Sequence, residues 1–392
     1  VNLRQRLANF QIGLREHSPL SPRYLGSMLK RRLRCGLRLD YRWPGGWSPR
    51  PDLWVCAIPT YRCNLECEMC FQRDEDGQVR GATKAQELSP AQWEQVIDRI
   101  ARFAPGILWM GGEVLIYPRM VELCAYAKSK GLKVLLITNG FLLADVAEEL
   151  VNIGVDAITV SIDGPEAIHN ALRRNPRSFA RAVEGLRVAL AARRARRARL
   201  PILAINYTLM AQNYRQVPAF VNFARELGVD IIHFIGLSYL DRQTWQCHEA
   251  VLRGEFDVPA SEVNVLDNSR YAAGLDPARL QAQMDALRAS APAFPALRFC
   301  AQGLGNYLHA HYGPDEGLPL SVQRCTSLWR KMTVQPNGDV TVCHSLPELR
   351  VGHALQGDLA STWNGPAFRH FRQRIKRQLL PGCIRCTWLD YE

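Results

Sequence analysis

Between residues 53 and 236, short apolar runs alternate with longer stretches whose apolar positions recur every three or four residues. The short runs lie at 53–59, 107–110, 133–138, 157–162, 202–209 and 231–235. The longer stretches lie at 90–103, 118–129, 143–153, 177–197 and 217–227. The first kind reads as buried strands and the second as helices with one apolar face. Ser89-Pro90 supplies an N-cap and a first-turn proline for the first helix. Gly131, Gly154 and Gly228 stand just past helix ends, where a left-handed cap needs glycine. Six strand–helix steps with apolar strands predict an α/β fold with a parallel sheet. The expected form is a partial (β/α)6 TIM-like barrel over residues 51–236. Chemistry in such barrels collects in loops at the C-terminal ends of the strands.

The pattern changes on either side. Residues 1–50 read as an arm in which Leu25, Met28, Leu29, Leu33 and Leu37 recur at near-helical spacing among Lys30, Arg31, Arg32 and Arg34. Such a helix either packs on the main domain or meets a membrane or partner with its basic face. Residues 237–324 lose the alternation, and only a helix near 277–290 stands out. A long segment beside the last barrel strand reads as an irregular insertion or substrate lid. Cys247 and Cys300 fall there and read as unpaired thiols. From Met332 a period of two returns around Pro336-Asn337-Gly338-Asp339, which spells a hairpin. Leu359, Trp363, Phe368, Phe371 and Ile375 then follow at helical spacing. Residues 325–392 therefore read as a small C-terminal α+β domain.

Composition narrows the class. The chain has 392 residues, 47% of them hydrophobic, enough for a sizeable core. No apolar run is long enough to span a membrane, and the first thirty residues have no signal-type stretch. A cytoplasmic location is the expectation, with a peripheral place on the inner face of the membrane as its variant. Twelve cysteines then argue for metal sites over disulfides. Of the net charge of +12, residues 1–50 carry +9. Two further basic runs, Arg193 to Arg199 and Arg369 to Arg377, read as solvated helix faces. Nucleic-acid modification rests on this charge alone, because no basic-and-aromatic stacking pattern accompanies it.

The chemistry-bearing stretch is Cys63-Asn64-Leu65-Glu66-Cys67-Glu68-Met69-Cys70-Phe71, which follows the first strand. Gaps of three and two residues let a short loop turn three thiolates toward one point, as soft ligands for iron. Three ligands on a four-iron cubane leave one iron for a small molecule. Buried free thiols or a zinc knuckle fit the same spacing, although zinc would need a fourth ligand. Strand two runs into Gly111-Gly112-Glu113, strand three into Thr138-Asn139-Gly140, and strand four into Ser161-Ile162-Asp163-Gly164. Arg173-Arg174 follows, and Asn206 lies on strand five.

In this order the motifs resemble the radical S-adenosylmethionine (SAM) family. The resemblance implies a [4Fe–4S] cluster on Cys63, Cys67 and Cys70 whose open iron chelates SAM. It implies further cofactor contacts at Phe71, at Gly111, Gly112 and Glu113 toward the SAM amino group, at Ser161 toward the ribose, and at Asp163. Arg173 takes the place of the arginine that binds the SAM carboxylate. Arg174 stands where glycine is more common, and Val114 where proline is usual. Asn206 reads equally as a cofactor contact or as a satisfied polar strand residue.

The order Cys325, hairpin, Cys343, helix and Cys383-x2-Cys386 resembles the SPASM/twitch extension of the same family. That extension implies an auxiliary cluster, although a structural zinc fits four thiolates too. No cysteine follows Cys386, so one auxiliary cluster is expected, two clusters in all. The implied activity is reductive cleavage of SAM to a 5′-deoxyadenosyl radical that takes hydrogen from an unactivated C–H bond. The auxiliary cluster would serve as an electron relay. The implied partners are a flavodoxin- or ferredoxin-type donor and a natural-product, peptide or lipid substrate. Fifty residues are few for a leader-binding domain, so a hydrophobic substrate suits the basic arm better. The rival reading is an iron–sulfur or zinc scaffold without SAM chemistry.

Overall fold

In the computed structural model, residues 43–49, 51, 54–70, 72, 87–258, 268–290, 296–299, 304–313 and 323–391 are described. The helix expected between residues 22 and 38, together with Phe71 and Cys300, lies outside them. Six strands come first: β1 (Trp54–Ala57), β2 (Gly106–Trp109), β3 (Lys133–Thr138), β4 (Ala157–Ser161), β5 (Ile202–Leu209) and β6 (Ile231–Gly236). Each pairs in parallel with the next. The helices between them are α1 (Pro90–Phe103), α2 (Met120–Ser129), α3 (Leu143–Ile153), α4 (Glu166–Leu172), α5 (Ser178–Ala195) and α6 (Val217–Leu227).

Local chemistry explains the elements. Ser89 and Gln92 form a reciprocal capping box at the start of α1, with bonds of 3.3 and 2.8 Å. Trp93, Val96, Ile97, Ile100 and Phe103 share one buried face of that helix, and Trp93 meets Trp109 of β2 edge-on at 5.2 Å. Gly154 and Gly228 end α3 and α6 in the left-handed conformation, at φ 72° and 89°. Val160, Ile205 and Ile232 are register neighbours on the helix-facing side of the sheet. The opposite side carries Ser161, Asn206 and His233, also in register.

The segment after β6 is more ordered than its sequence suggests. It holds α7 (Arg242–Phe256), α8 (Ser269–Ala272), α9 (Pro277–Ser290), β7 (Ala296–Phe299) and α10 (Leu308–Tyr312), of which only α9 was expected. α7 buries only Trp245, His248 and Leu252, a stripe too narrow to read against its polar remainder. β7 is four residues long and adds to β6 as a further parallel strand.

The C-terminal part contains β8 (Gln323–Arg324), β9 (Lys331–Val334), β10 (Asp339–Cys343), β11 (Leu346–His353), α11 (Leu359–Trp363), α12 (Pro366–Arg377) and β12 (Asp390–Tyr391). The expected hairpin is β9–β10. It does not stand apart: β9 runs parallel to β1, with Val55 opposite Met332, so one ten-stranded sheet runs from β11 to β7. This covers the edge of β1, whose unpaired backbone groups would otherwise need another partner. The basic runs are only partly solvated. Arg372 is fully buried, donates to the carbonyls of Leu328 at 2.9 Å and Trp363 at 2.8 Å, and lies over the Trp363 ring. Arg193 pairs with Asp230.

Candidate functional site

The loop after β1 enters the site over the glycine pair that follows β2. The Gly112 and Glu113 N–H groups donate to the carbonyls of Thr60 and Arg62, at 3.0 and 2.9 Å. A Cβ on Gly112 would stand 2.2 Å from the Arg62 carbonyl, and one on Gly111 would stand 2.6 Å from that of Thr60. Gly111 also sits at φ 141°. The two glycines thus let the chain's own approach to the cysteine loop lie against the end of β2.

Glu113 is fully buried and ties the end of β2 to the end of β3. Its carboxylate accepts from the Thr138 hydroxyl at 2.6 Å, the Asn139 N–H at 2.7 Å and the Leu115 N–H at 3.0 Å. Burial raises its pKa; those donors and the Arg173 charge oppose the rise. The Asn139 side-chain amide then reaches Cys63, with Nδ2 3.7 Å from its Sγ and 2.7 Å from Asn64 Oδ1. Asn139 was visible as part of a strand-end motif, but nothing in the sequence marked it as a neighbour of the first cysteine.

Cys63, Cys67 and Cys70 are all partly buried, and a Cys70 N–H to Cys67 carbonyl bond of 3.2 Å turns the loop. Arg173 delivers a cation to it. Its Nη1 lies 3.6 Å from Cys67 Sγ. Its Nε and Nη2 hold Asp163 Oδ2 at 2.9 and 2.5 Å, and Asp163 Oδ1 accepts from the Thr208 N–H at 3.0 Å. Asp163 is fully buried and Arg173 is 9% exposed. Arg174 points elsewhere: it takes a left-handed φ of 50°, which glycine would adopt freely, and meets Glu68 at the rim at 3.5 Å. Ser161 and Asn206 lie side by side on the non-helical face of the sheet. His233 approaches Asn206 Oδ1 at 3.3 Å, and Arg298 of β7 is its register neighbour. Neither His233 nor Arg298 carries a sequence signal beyond its type.

The second group of cysteines converges between β10 and the chain's C-terminal end. Cys325, Cys343, Cys383 and Cys386 stand close enough for their charges to act on one another. Burial pushes Cys325 and Cys386 up to about 12 and raises Cys343 and Cys383 as well. Cys343 Sγ accepts the Ser345 N–H at 3.4 Å. Four such thiols ionise readily only against a strong positive centre. Among the described residues no three His, Cys, Asp or Glu side chains are clasped tightly enough for a single metal ion. Thiols gathered around a common volume, with N–H groups turned to sulfur, suit an iron–sulfur cluster.

The segment after β6 contacts both cysteine groups. Tyr271 donates to Glu68 at 3.1 Å, and the Asn268 amide donates to the Met69 carbonyl at 3.3 Å. Arg385, between Cys383 and Cys386, donates to the carbonyls of His311 at 2.7 Å and Gly313 at 2.8 Å. Tyr239 stacks beneath its guanidinium at 4.2 Å.

Comparison with known proteins follows these two groups. The family model of the radical SAM superfamily matches residues 57–224, and that of the iron-sulfur cluster-binding domain called SPASM matches residues 325–387. The AdoMet-dependent heme synthase of Methanosarcina barkeri is 34% identical over 189 residues, 47% of this chain and 50% of that protein. The chain thus spans about half the length of that relative. The PqqA peptide cyclase of Gluconobacter oxydans is 28% identical over 340 residues, 83% of this chain and 80% of that protein. Among solved structures, Streptococcus suis SuiB bound to its precursor peptide SuiA shares the fold. The TM-score is 0.57 at 16% identity, over 82% of this chain and 67% of that one.

Proposed function

We propose that this chain, which belongs to the radical SAM superfamily and carries a C-terminal SPASM domain, is an enzyme that modifies a peptide at an unactivated C–H bond. Family membership implies a SAM-binding [4Fe–4S] cluster, SAM itself and auxiliary iron–sulfur binding. When bound, the first cluster and SAM supply an electron and, from it, a carbon-centred radical that removes hydrogen from substrate. The chain's residues provide the setting. Cys63, Cys67 and Cys70 would hold the cluster. Arg173, kept in place by Asp163, offers a forked cation next to Cys67, suited to a carboxylate. Glu113 fixes Asn139 beside Cys63 through the 2.7 Å bond to its N–H. Ser161 and Asn206 offer hydroxyl and amide groups to an adenosine on the same side of the sheet. Cys325, Cys343, Cys383 and Cys386 would hold one auxiliary cluster, with the role of an electron relay.

The observation that carries this reading is the convergence of the cysteine loop, Glu113, Asn139, Asp163 and Arg173 at the C-terminal ends of β1 to β4. A peptide substrate is favoured by the PqqA peptide cyclase match, which extends over most of both chains. A flavodoxin- or ferredoxin-type donor belongs to the proposal. So does contact of residues 1–40 with an anionic membrane, supported by the arm's charge.

The test is anaerobic reconstitution followed by iron and sulfide analysis, then reduction with dithionite in the presence of SAM. Two clusters and 5′-deoxyadenosine are expected. Replacing Cys63, Cys67 and Cys70 by Ala should leave one cluster and no 5′-deoxyadenosine. Product from the triple variant would refute the assignment. Candidate peptides are then screened by mass spectrometry for loss of two hydrogens.

A further inference from the structure

β9 carries an unusual lysine. Lys331 is 5% exposed, and its Nζ is buried with no hydrogen-bond partner. The Trp388 ring lies beneath it at 3.0 Å. A buried ammonium needs a counter-charge, and an aromatic face meets only part of that need. The register shows where the rest could come from. β10 pairs antiparallel to β9 with Val340 opposite Val334 and Thr341 opposite Thr333. Cys343 lies two residues beyond Thr341 at the end of β10, and Lys331 lies two residues before Thr333 at the start of β9, so both stand at the same end of the hairpin. Trp388 follows Cys386 by two residues, so the ring beneath the ammonium belongs to the same cysteine loop.

We propose that Lys331 is the internal counter-charge of the C-terminal cysteine site, a buried ammonium that raises the reduction potential of the cluster held there. This rests on the reading of Cys325, Cys343, Cys383 and Cys386 as cluster ligands. Four thiolates leave an oxidised [4Fe–4S] centre with net negative charge, and each added electron deepens it. A fixed cation alongside makes that electron easier to accept. The β1–β9 pairing places Lys331 opposite Trp54 in the barrel sheet, so the charge is rigidly held.

The test uses the full chain with Cys63, Cys67 and Cys70 replaced by Ala, so that only the auxiliary centre contributes. Its midpoint is measured by a dithionite titration followed by electron paramagnetic resonance, with Lys331→Met, Lys331→Gln and Lys331→Arg compared. Removing the charge should disfavour the reduced form at least tenfold, a fall of about 59 mV for a one-electron couple. Lys331→Arg should stay near the parent value. A parent midpoint retained in Lys331→Met or Lys331→Gln, with iron and sulfide intact, would overturn the proposal. Loss of the cluster from both neutral variants but not from Lys331→Arg supports it. Loss from all three overturns it, because any cation should serve. If the parent background binds no iron at all, the reading of the four cysteines fails instead, and Lys331 has nothing to tune.

Discussion

The Asp163–Arg173 pair can be taken apart one charge at a time. Asp163 is fully buried and accepts three hydrogen bonds, two from Arg173 and one from the Thr208 backbone. Asp163→Ala strands a buried guanidinium whose other described contact is Cys67 Sγ. It also leaves the Thr208 N–H without that acceptor. Breaking a buried pair from one side costs about 3–5 kcal/mol, most of it the penalty on the charge left behind. Arg173→Met should cost a similar amount, because the buried carboxylate then keeps only the Thr208 N–H. The double variant removes both charges and should cost about 2 kcal/mol or more less than the sum of the singles. Asp163→Asn restores an acceptor for Thr208 and should fall between the parent and Asp163→Ala. Urea unfolding of the cofactor-free chain measures these differences, provided that fluorescence and circular dichroism give one transition. SAM binding to the reconstituted chain gives the functional arm, where both single variants should lose affinity. Additive costs, or a loss under about 1 kcal/mol for Asp163→Ala, would show that the pair is not what holds Arg173 in place.

Acid should destabilise the fold through buried histidines, three of which lie on helices. His169, His248 and His311 are depressed, chiefly by burial, from the ordinary 6.5 to about 3, 4 and 3. They stay neutral in the folded chain while the unfolded chain protonates below pH 6.5. Each therefore subtracts about 2 kcal/mol by pH 5. His311→Gln should flatten the urea-midpoint curve between pH 7 and 5 by close to one proton, and an unchanged slope would remove His311 from this account. The arm gives a test of its own: the intact chain should sediment with anionic vesicles at low salt and release as salt rises, and a chain without residues 1–40 should not. Equal sedimentation of both would end the membrane idea.

The sequence showed the barrel clearly because its strands are mostly apolar and helices such as α1 and α6 carry one distinct apolar face. Ser89 and Pro90 fixed the start of α1 closely. The cysteine loop, Gly111-Gly112-Glu113 and Arg173 were legible because their spacing is local. What was hidden depends on distance in sequence. That Asp163 grips Arg173 needs the turn through α4, and that Asn139 reaches Cys63 joins residues 76 positions apart. The pairing of β9 with β1 could not be read either, since each alone is a strand of only four residues. Lys331 carries no sequence signal of its own; its burial and the ring of Trp388 make it unusual.

The segment 237–324 was expected to be a lid, and its contacts change what that can mean. Five hydrogen bonds join it to the two cysteine loops. They run from Asn268 to Met69, Tyr271 to Glu68, Ser238 to Arg385, and Arg385 to His311 and Gly313. At about 0.5–1.5 kcal/mol net each, swinging the whole segment away costs roughly 2.5–7.5 kcal/mol before any apolar contact is lost. Even the lower figure leaves fewer than about one molecule in fifty open at equilibrium. We infer that the anchored parts, at 238–239, 268–271 and 311–313, act as a brace between the two thiol groups rather than as a hinged cover. A brace suits the electron relay proposed above, because the spacing between an electron's source and its acceptor has to persist through the reaction. It also places the cost of mutating Arg385 in that spacing: the residue sits between two cysteines at a left-handed φ of 61°, yet its guanidinium is spent on holding residues 311 and 313.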